Sequence, residues 1–390
     1  MKKIEDLENL NKKKILLRLD LNVPLKNKII SDTTRIDKIL PTLNYLLKKK
    51  SKVIIISHIG RPKGKMDNKL SMKPVCDYLC KKLGKKIKLI SQNIFEITPN
   101  SIFSNDMDDI VILENIRFYE EEEKNNKKFA EILSKLGDLY VNDAFSCSHR
   151  EHASVNQITN FIPSYCGIQM NLELNALKKV TTEIKKPITC IIGGSKISTK
   201  IGIIKNLLKK FNNIIIVGGM ANNIIEYKGF NIGKSIKEEN CKKTIEEIFS
   251  LARKSNCNIF YPKDVSVGQS KDDTSQIKSL NEISDNDLIL DIGPETIKMV
   301  KSIINNSKTI LWNGPAGYFE NENFSKGSVE IAKKIVSMKD NIYSVAGGGD
   351  TIALLNKVNL FKHFNFVSTA GGAFLEYLEG KKIPGIRSLN

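Results

Sequence analysis

At 390 residues the chain exceeds one typical domain, so two domains of about 150–200 residues each are expected, and its 41% hydrophobic content suffices for ordinary cores. The net charge of +18 comes mostly from dispersed lysines without interleaved aromatic residues, which favours solvated helix faces over a nucleic-acid track. No stretch approaches the roughly 18–20 apolar residues of a membrane span, the start MKKIEDLENL has no apolar core for a leader, and seven cysteines without a CxxC pair point to a reduced, cytoplasmic chain.

In chain order, one unit keeps returning: a short apolar run that ends in glycine, a small residue or a charge, followed by a helical pattern. The first half gives KKILLRLDLNVP, a helix over Thr34–Lys49, SKVIIISHIGRP, DDIVILENIRF, a helix over Asn125–Leu136, and GDLYVNDAFS. A helical stretch, MNLELNALKKV, then links the halves. The second half gives KPITCIIGGSK, NNIIIVGGMAN, CNIFYPKDV, DLILDIGPET, KTILWNGPAG, NIYSVAGGGDT and FNFVSTAGGA. The runs are continuous rather than alternating, as expected of strands buried on both faces. The pattern predicts an α/β fold of two doubly wound, Rossmann-like parallel-sheet domains joined by a helix, with a cleft between them. The expected domains are residues 1–170 and 171–380, with the tail 381–390 returning to the first.

Ligands of open α/β sheets bind beyond the carboxyl ends of the strands. Seven of the 61 basic residues are arginine, and five of those, Arg18, Arg35, Arg61, Arg117 and Arg150, fall in the first 150 residues. Arginine offers the flat, forked donor that carboxylate and phosphate recognition needs. The first-half strand ends carry Asp20 and Asn22, His58 and Arg61, Arg117, then His149 and Arg150, while Arg35 begins the first helix. Any one of these alone reads as an ion pair or a cap. Together they point to a pocket for a small, multi-oxygen anion. Arg18 lies inside its strand and reads as structural.

The second-half strands end in glycines, which let backbone and helix N-termini approach phosphate. Lys196 and Lys200 share one face if IGGSKISTKIG opens a helix. Asp350, after three glycines, suits Mg²⁺, a hard cation that shares phosphate oxygens with one carboxylate. GFNIGKS (229–235) looks like a phosphate loop but has three residues between its glycines where four are needed, and it follows a helical pattern. GxGxxG is absent from the first strand–helix turn, which speaks against a dinucleotide dehydrogenase. An anion half and a nucleotide-phosphate half together suggest phosphoryl transfer, with closure of the two domains excluding water.

Ten signatures carry a family resemblance: RLDLNVP (18–24), SHIGRP (57–62), ENIRF (114–118), NDAFSCSHREHAS (142–154), GGSKISTKI (193–201), GGMAN (218–222), DIGPET (291–296), WNGPAGYFE (312–320), GGGDT (347–351) and STAGGAFLEYLEG (368–380). In this order the chain resembles phosphoglycerate kinases. The resemblance implies reversible, Mg²⁺-dependent transfer between 1,3-bisphosphoglycerate and ADP, giving 3-phosphoglycerate and ATP, by a monomer that needs no general base. It implies that Asp20, Leu21, Asn22, Arg35, His58, Ile59, Gly60, Arg61, Arg117 and Arg150 hold the phosphoglycerate. Arg35, Lys196, Gly371 and Gly372 would face the transferring group. Lys200, Gly293, Glu320, Gly348, Gly349, Asp350 and Thr351 would bind the nucleotide, with Asp350 also on Mg²⁺. The chain departs from the family pattern at Leu21, Ser146–His149, Thr199, Ala370 and Phe374. None of these departures removes a charged ligand, and Ala370 is expected to keep its N–H available. The rival readings are a binding protein without activity and a basic protein that associates with nucleic acid.

Overall fold

Apolar, β-branched runs build the strands, and helices with apolar residues every three to four positions cover them. The computed structural model describes residues 1–99, 101–103 and 109–390. The chain divides into two units: residues 1–174 with 382–390, and residues 175–381.

Unit 1 contains strands β1 (Lys14–Arg18), β2 (Leu25–Lys26), β3 (Ile29–Ile30), β4 (Lys52–Ile56), β5 (Lys88–Ile90), β6 (Ile110–Leu113), β7 (Leu139–Asn142) and β8 (Ser164–Cys166). Six of them form a parallel sheet in the order β5-β6-β4-β1-β7-β8, and β2 and β3 make a hairpin. The four predicted strands are β1, β4, β6 and β7. The short, partly exposed β5 and β8 carry too weak an apolar signal to be read from sequence. Helix α1 (Thr34–Lys48) turns Ile36, Ile39, Leu43 and Leu46 inward, the spacing of one helical face. Helix α2 spans Lys73–Leu83. The predicted Asn125–Leu136 helix begins later, because Asn125 sits at φ 52° and separates α3 (Glu120–Glu123) from α4 (Lys127–Ser134). Asn126 then caps α4, its Oδ1 accepting from Phe129 N at 3.0 Å. The tail helix α13 (Pro384–Arg387) is tied to this unit by Gly385 N, which donates to Ser148 O at 2.8 Å. Helix α5 (Ile168–Thr181) runs through the boundary between the units.

Unit 2 contains β9 (Ile188–Ile192), β10 (Asn213–Ile216), β11 (Asn258–Phe260), β12 (Asp264–Gly268), β13 (Gln276–Ser279), β14 (Leu288–Ile292), β15 (Thr309–Asn313), β16 (Tyr343–Gly347) and β17 (Phe366–Ser368). The parallel sheet runs β11-β10-β9-β15-β16-β17, so strand order reverses between β9 and β15, the usual place for a ligand crevice. Its helices are α6 (Ile201–Leu208), α7 (Gly219–Tyr227), α8 (Lys242–Lys254), α9 (Pro294–Asn305), α10 (Lys326–Ser337), α11 (Gly349–Lys357) and α12 (Gly372–Leu378).

One expectation is corrected here. DLILDIGPET is not in the parallel sheet. Its strand, β14, pairs antiparallel with β12 in a separate sheet of order β13-β12-β14. A short continuous apolar run cannot reveal its partner's direction. Residues 229–235 follow α7, a helix, and so are not the strand-to-helix turn of a phosphate loop.

Candidate active site

In unit 1 the strand-end residues form a connected set. Beyond β1, the Asp20 carboxylate accepts from Arg35 Nη1 with both oxygens, at 2.9 and 2.7 Å, and from Ser146 Oγ. Asn22 Oδ1 accepts from Gly60 N at 2.9 Å, and Gly60 O accepts from Arg117 Nη1 at 2.9 Å. Leu21 and Ile59 turn their side chains into the core, so only their backbone could face a ligand. Arg117 is buried, and its Nε and Nη2 have no hydrogen-bond partner; Glu123 Oε1 lies 3.4 Å from Nε. Buried donors left unmatched are costly and so mark where an acceptor is due. Arg150 Nε donates to His149 Nε2 at 3.3 Å. Arg61 is exposed, with no hydrogen bond or ion pair among the described residues.

Burial first, then the charges of Arg18, Arg117 and Arg150, holds the His58 imidazole well below the usual histidine range. The same causes, led by burial, lower His152 to about 3. Both rings are therefore neutral at pH 7, and the positive charge comes from guanidinium groups. That arrangement suits a small anion with several oxygens.

Unit 2 presents backbone instead. At the ends of β9 and β15 the chains cross so closely that a Cβ on Gly193 would lie 2.3 Å from Pro315 O, and one on Gly314 would lie 2.4 Å from Gly193 O. Only glycines permit that approach. Lys196 and Lys200 do not share a helix face. Gly194, at φ 147°, cannot be helical, and α6 opens only at Ile201, so both lysines sit in the preceding turn. There Thr199 Oγ1 donates to Lys196 O at 2.8 Å. The Lys196 ammonium is exposed and makes no hydrogen bond or ion pair among the described residues. Lys200 Nζ donates to Asn313 Oδ1 at 2.6 Å, and burial lowers its pKa from the ordinary lysine value.

Gly348, at φ 101°, caps α11, and exposed Asp350 stands in that helix's first turn. Thr351 is buried with its hydroxyl accepting from Gly314 N at 2.7 Å. A cavity of about 280 Å³ lies in this unit. Gly194, Gly218, Gly219, Tyr318, Glu320 and Asp350 line it together with an apolar wall from Leu288 to Leu290. Asp291 lies in its floor with its carboxyl raised by burial to about 7. Gly371 caps the short α12 at φ 56°, with open space around its Cα.

The structure places three further positions singled out in the sequence. Gly293 does not line the cavity, and the N-terminus of α9 is already filled: Asp264 accepts from Glu295 N at 2.9 Å and Thr296 N at 2.8 Å. The Ala370 N–H is not free, because it donates to Ser368 Oγ at 3.3 Å. Phe374 is fully buried with its ring against Gly347, where a Cβ would come within 2.6 Å. The sequence reading missed Asn313, Asn115 and Ser146. Asn313 also donates to Gly347 O at 2.6 Å, so it braces β16 while it holds Lys200. Asn115 donates to Ile59 O and Leu70 O, both at 2.8 Å, and so fixes the loop before Arg61. Asn313 ends β15 and Asn115 lies two residues beyond β6, at the strand ends where the charged residues stand, but neither carries a charge that would set it apart.

The phosphoglycerate kinase family model matches residues 4–381. A phosphoglycerate kinase of Wolbachia pipientis wMel is 45% identical over 392 residues, covering 99% of this chain and 98% of that protein. One from Dictyoglomus turgidum is 43% identical over 384 residues, covering 98% and 96%. Among solved structures, phosphoglycerate kinase from Coxiella burnetii matches with a TM-score of 0.91 at 36% identity, covering 99% of this chain and 98% of that one.

Proposed function

Because the chain belongs to the phosphoglycerate kinase family, we propose that unit 1 binds the phosphoglycerate, unit 2 binds the nucleotide, and the strand-end residues described above do the work. The reaction is reversible phosphoryl transfer from 1,3-bisphosphoglycerate to ADP, giving 3-phosphoglycerate and ATP, a step of glycolysis and gluconeogenesis.

The observation that carries the unit 1 assignment is the buried Arg117 with two unmatched donor nitrogens, grouped with Arg18, Arg150 and two neutral histidines. An anion with phosphate and carboxylate oxygens satisfies those donors. Arg35, held by Asp20, supplies a further guanidinium, and Asn22, His58, Arg61 and Arg150 complete the polar lining, with the backbone of Leu21, Ile59 and Gly60. In unit 2, Lys200 and the first turn of α11, with Gly348, Gly349 and Thr351, meet the nucleotide phosphates. Glu320 reaches the ribose hydroxyls from the cavity rim. Gly293 is left out, since Asp264 occupies its helix end.

Among the described residues no group of three His, Cys, Asp or Glu side chains is placed to hold a metal. One exposed carboxylate, Asp350, at the cavity fits Mg²⁺ that takes its other oxygens from nucleotide phosphate and water. When bound there, Mg²⁺ would neutralise phosphate charge. Lys196, exposed and without a hydrogen bond or ion pair among the described residues, meets the charge on the transferring phosphoryl group, and Arg35 and the Gly371 and Gly372 amides face it as well. The attacking carboxylate of 3-phosphoglycerate is already ionised, so no side chain need take a proton. Phosphoryl transfer of this kind rests on positioning and charge. No helix among the described residues is long and apolar enough to cross a membrane, and a cytoplasmic monomer is the working state we propose.

A coupled assay of ATP formation from 1,3-bisphosphoglycerate and MgADP tests the activity, with turnover far above a heat-inactivated control expected. Titrations of 3-phosphoglycerate and MgADP against labelled protein test the division of sites. The expected shifts fall in unit 1 and unit 2 respectively, and shifts in the opposite units would refute the assignment.

A further inference from the structure

Arg18 lies within β1, fully buried, in a directed chain of hydrogen bonds. Its Nε donates to Ser154 Oγ at 3.0 Å and its Nη1 to Leu19 O at 2.6 Å. Ser154 in turn is fixed by the buried Glu122 carboxylate, which accepts from Ser154 Oγ at 2.6 Å and Ser154 N at 2.8 Å. The remaining arm of the fork, Nη2, lies 3.3 Å from His58 Nδ1. A guanidinium has five N–H donors and no acceptor. In this contact His58 Nδ1 must therefore be the acceptor, which places the imidazole proton on Nε2.

Resting on the reading of unit 1 as the phosphoglycerate site, we propose that Arg18 is a positioning residue. It selects the neutral Nε2–H tautomer of His58, so that the histidine meets the substrate as an uncharged, aimed donor. The alternative tautomer would set Nδ1–H against the guanidinium N–H and turn the Nε2 lone pair toward the anion, which is unfavourable at both ends. His58 Nε2 makes no hydrogen bond among the described residues. The groups facing the ring are Arg18 from β1, Arg117 from the turn after β6, and Cys147, Arg150 and His152 from the segment after β7, with Cys147 Sγ 3.9 Å from Nδ1. Three are cations and none is a carboxylate, which agrees with the strongly lowered imidazole pKa. The buried Glu122 acts one step further back, through Ser154.

The test is long-range ¹H–¹⁵N correlation on the full-length, ¹⁵N-labelled protein, paired with kinetics. Wild-type His58 should show a protonated Nε2 and a bare Nδ1 at pH 7. In Arg18→Met, which keeps an apolar stem and removes every donor facing Nδ1, the tautomer preference should be lost. The KM for 3-phosphoglycerate should rise about tenfold, while the nucleotide KM stays within about twofold. Where Arg18→Met proves too unstable, Ser154→Ala frees the guanidinium without removing it and should shift both readouts in the same direction. A wild-type His58 that carries Nδ1–H or is doubly protonated at pH 7 would overturn the proposal, as would an unchanged tautomer in both variants. Saturating 3-phosphoglycerate should move the His58 Nε2 signal. If the enzyme turns over but this signal stays still, the ligand assignment of unit 1 fails, whatever the tautomer.

Discussion

The Lys200 ammonium reaches Asn313 Oδ1 across 2.6 Å, from the turn before α6 to the end of β15. Asn313 is buried, and its Nδ2 is committed to Gly347 O, so the amide cannot turn away. It therefore presents its oxygen to a lysine whose charge is already disfavoured by burial. Asn313→Ala should lower the Lys200 pKa further, raise the KM for MgADP, and cost about 1.5–3 kcal/mol of unfolding free energy, the usual loss for a buried hydrogen bond to a charged group. Denaturant unfolding and initial-rate kinetics measure both. A variant with wild-type stability and KM would show that the contact is incidental.

Arg35→Lys keeps the charge but loses the planar fork, and a lysine that stays paired with Asp20 has no second nitrogen left for the ligand. We expect kcat to fall at least about tenfold, or roughly 1.4 kcal/mol of barrier. A wild-type rate would reduce Arg35 to a point charge.

Lys196 makes no hydrogen bond or ion pair among the described residues, so its contact should belong to the transition state. Lys196→Ala should lower kcat much more than it raises KM. A raised KM with kcat intact would move Lys196 from the transition state to ordinary nucleotide binding.

Gly293→Ala separates packing from ligand binding. Its Cβ would fall 2.3 Å from the Asp264 carboxylate that caps α9, so the cap must shift. Loss of a cap costs about 1 kcal/mol, and strain adds to it. Calorimetry should show a lower melting temperature, with nucleotide KM unchanged in the folded enzyme. An increase in KM without loss of stability would restore Gly293 to the nucleotide site.

Asp291 links stability to pH. Burial raises its carboxyl from 3.8 to about 7, although its oxygens accept from Gly327 N and Ile292 N. Between about pH 4 and 7 the unfolded chain ionises this group while the folded chain keeps its proton. The folded state then binds more protons, and the stability this group contributes falls as pH rises through that window. Asp291→Asn removes the term. Whatever its fixed cost, the variant should gain stability relative to wild type from pH 4 to pH 7 and track it above pH 7. Parallel unfolding curves across that range would show that Asp291 is ionised throughout.

Much of this was legible in the chain. Continuous apolar runs marked the central strands, because a strand covered on both faces must be apolar throughout. Asp20, Arg117 and Asp350 stood out as charges placed where such runs end. The reading failed where the deciding partner is remote. The pairing of β14 with β12 was hidden, because Leu288–Leu290 are apolar whichever sheet receives them. The filling of the helix end beside Gly293 by Asp264, about thirty residues earlier in the chain, was hidden in the same way. The neutral amides Asn115 and Asn313 carry no charge signal, and their role comes from the remote carbonyls they reach and, for Asn313, from the Lys200 ammonium.

The sequence by itself therefore determined the two α/β halves, the family, and the set of charged residues available for binding, since these follow from local periodicity and residue chemistry. Only the tertiary structure decided which of those charges are satisfied and which are left open. Arg18, read from sequence as structural, is held by Ser154 and Leu19 and faces His58, whereas Arg117 keeps unmatched donors. Both are buried arginines near strand ends. They differ in the acceptors that distant segments bring to them, and a hydrogen bond between segments far apart in sequence exists only once the chain has folded.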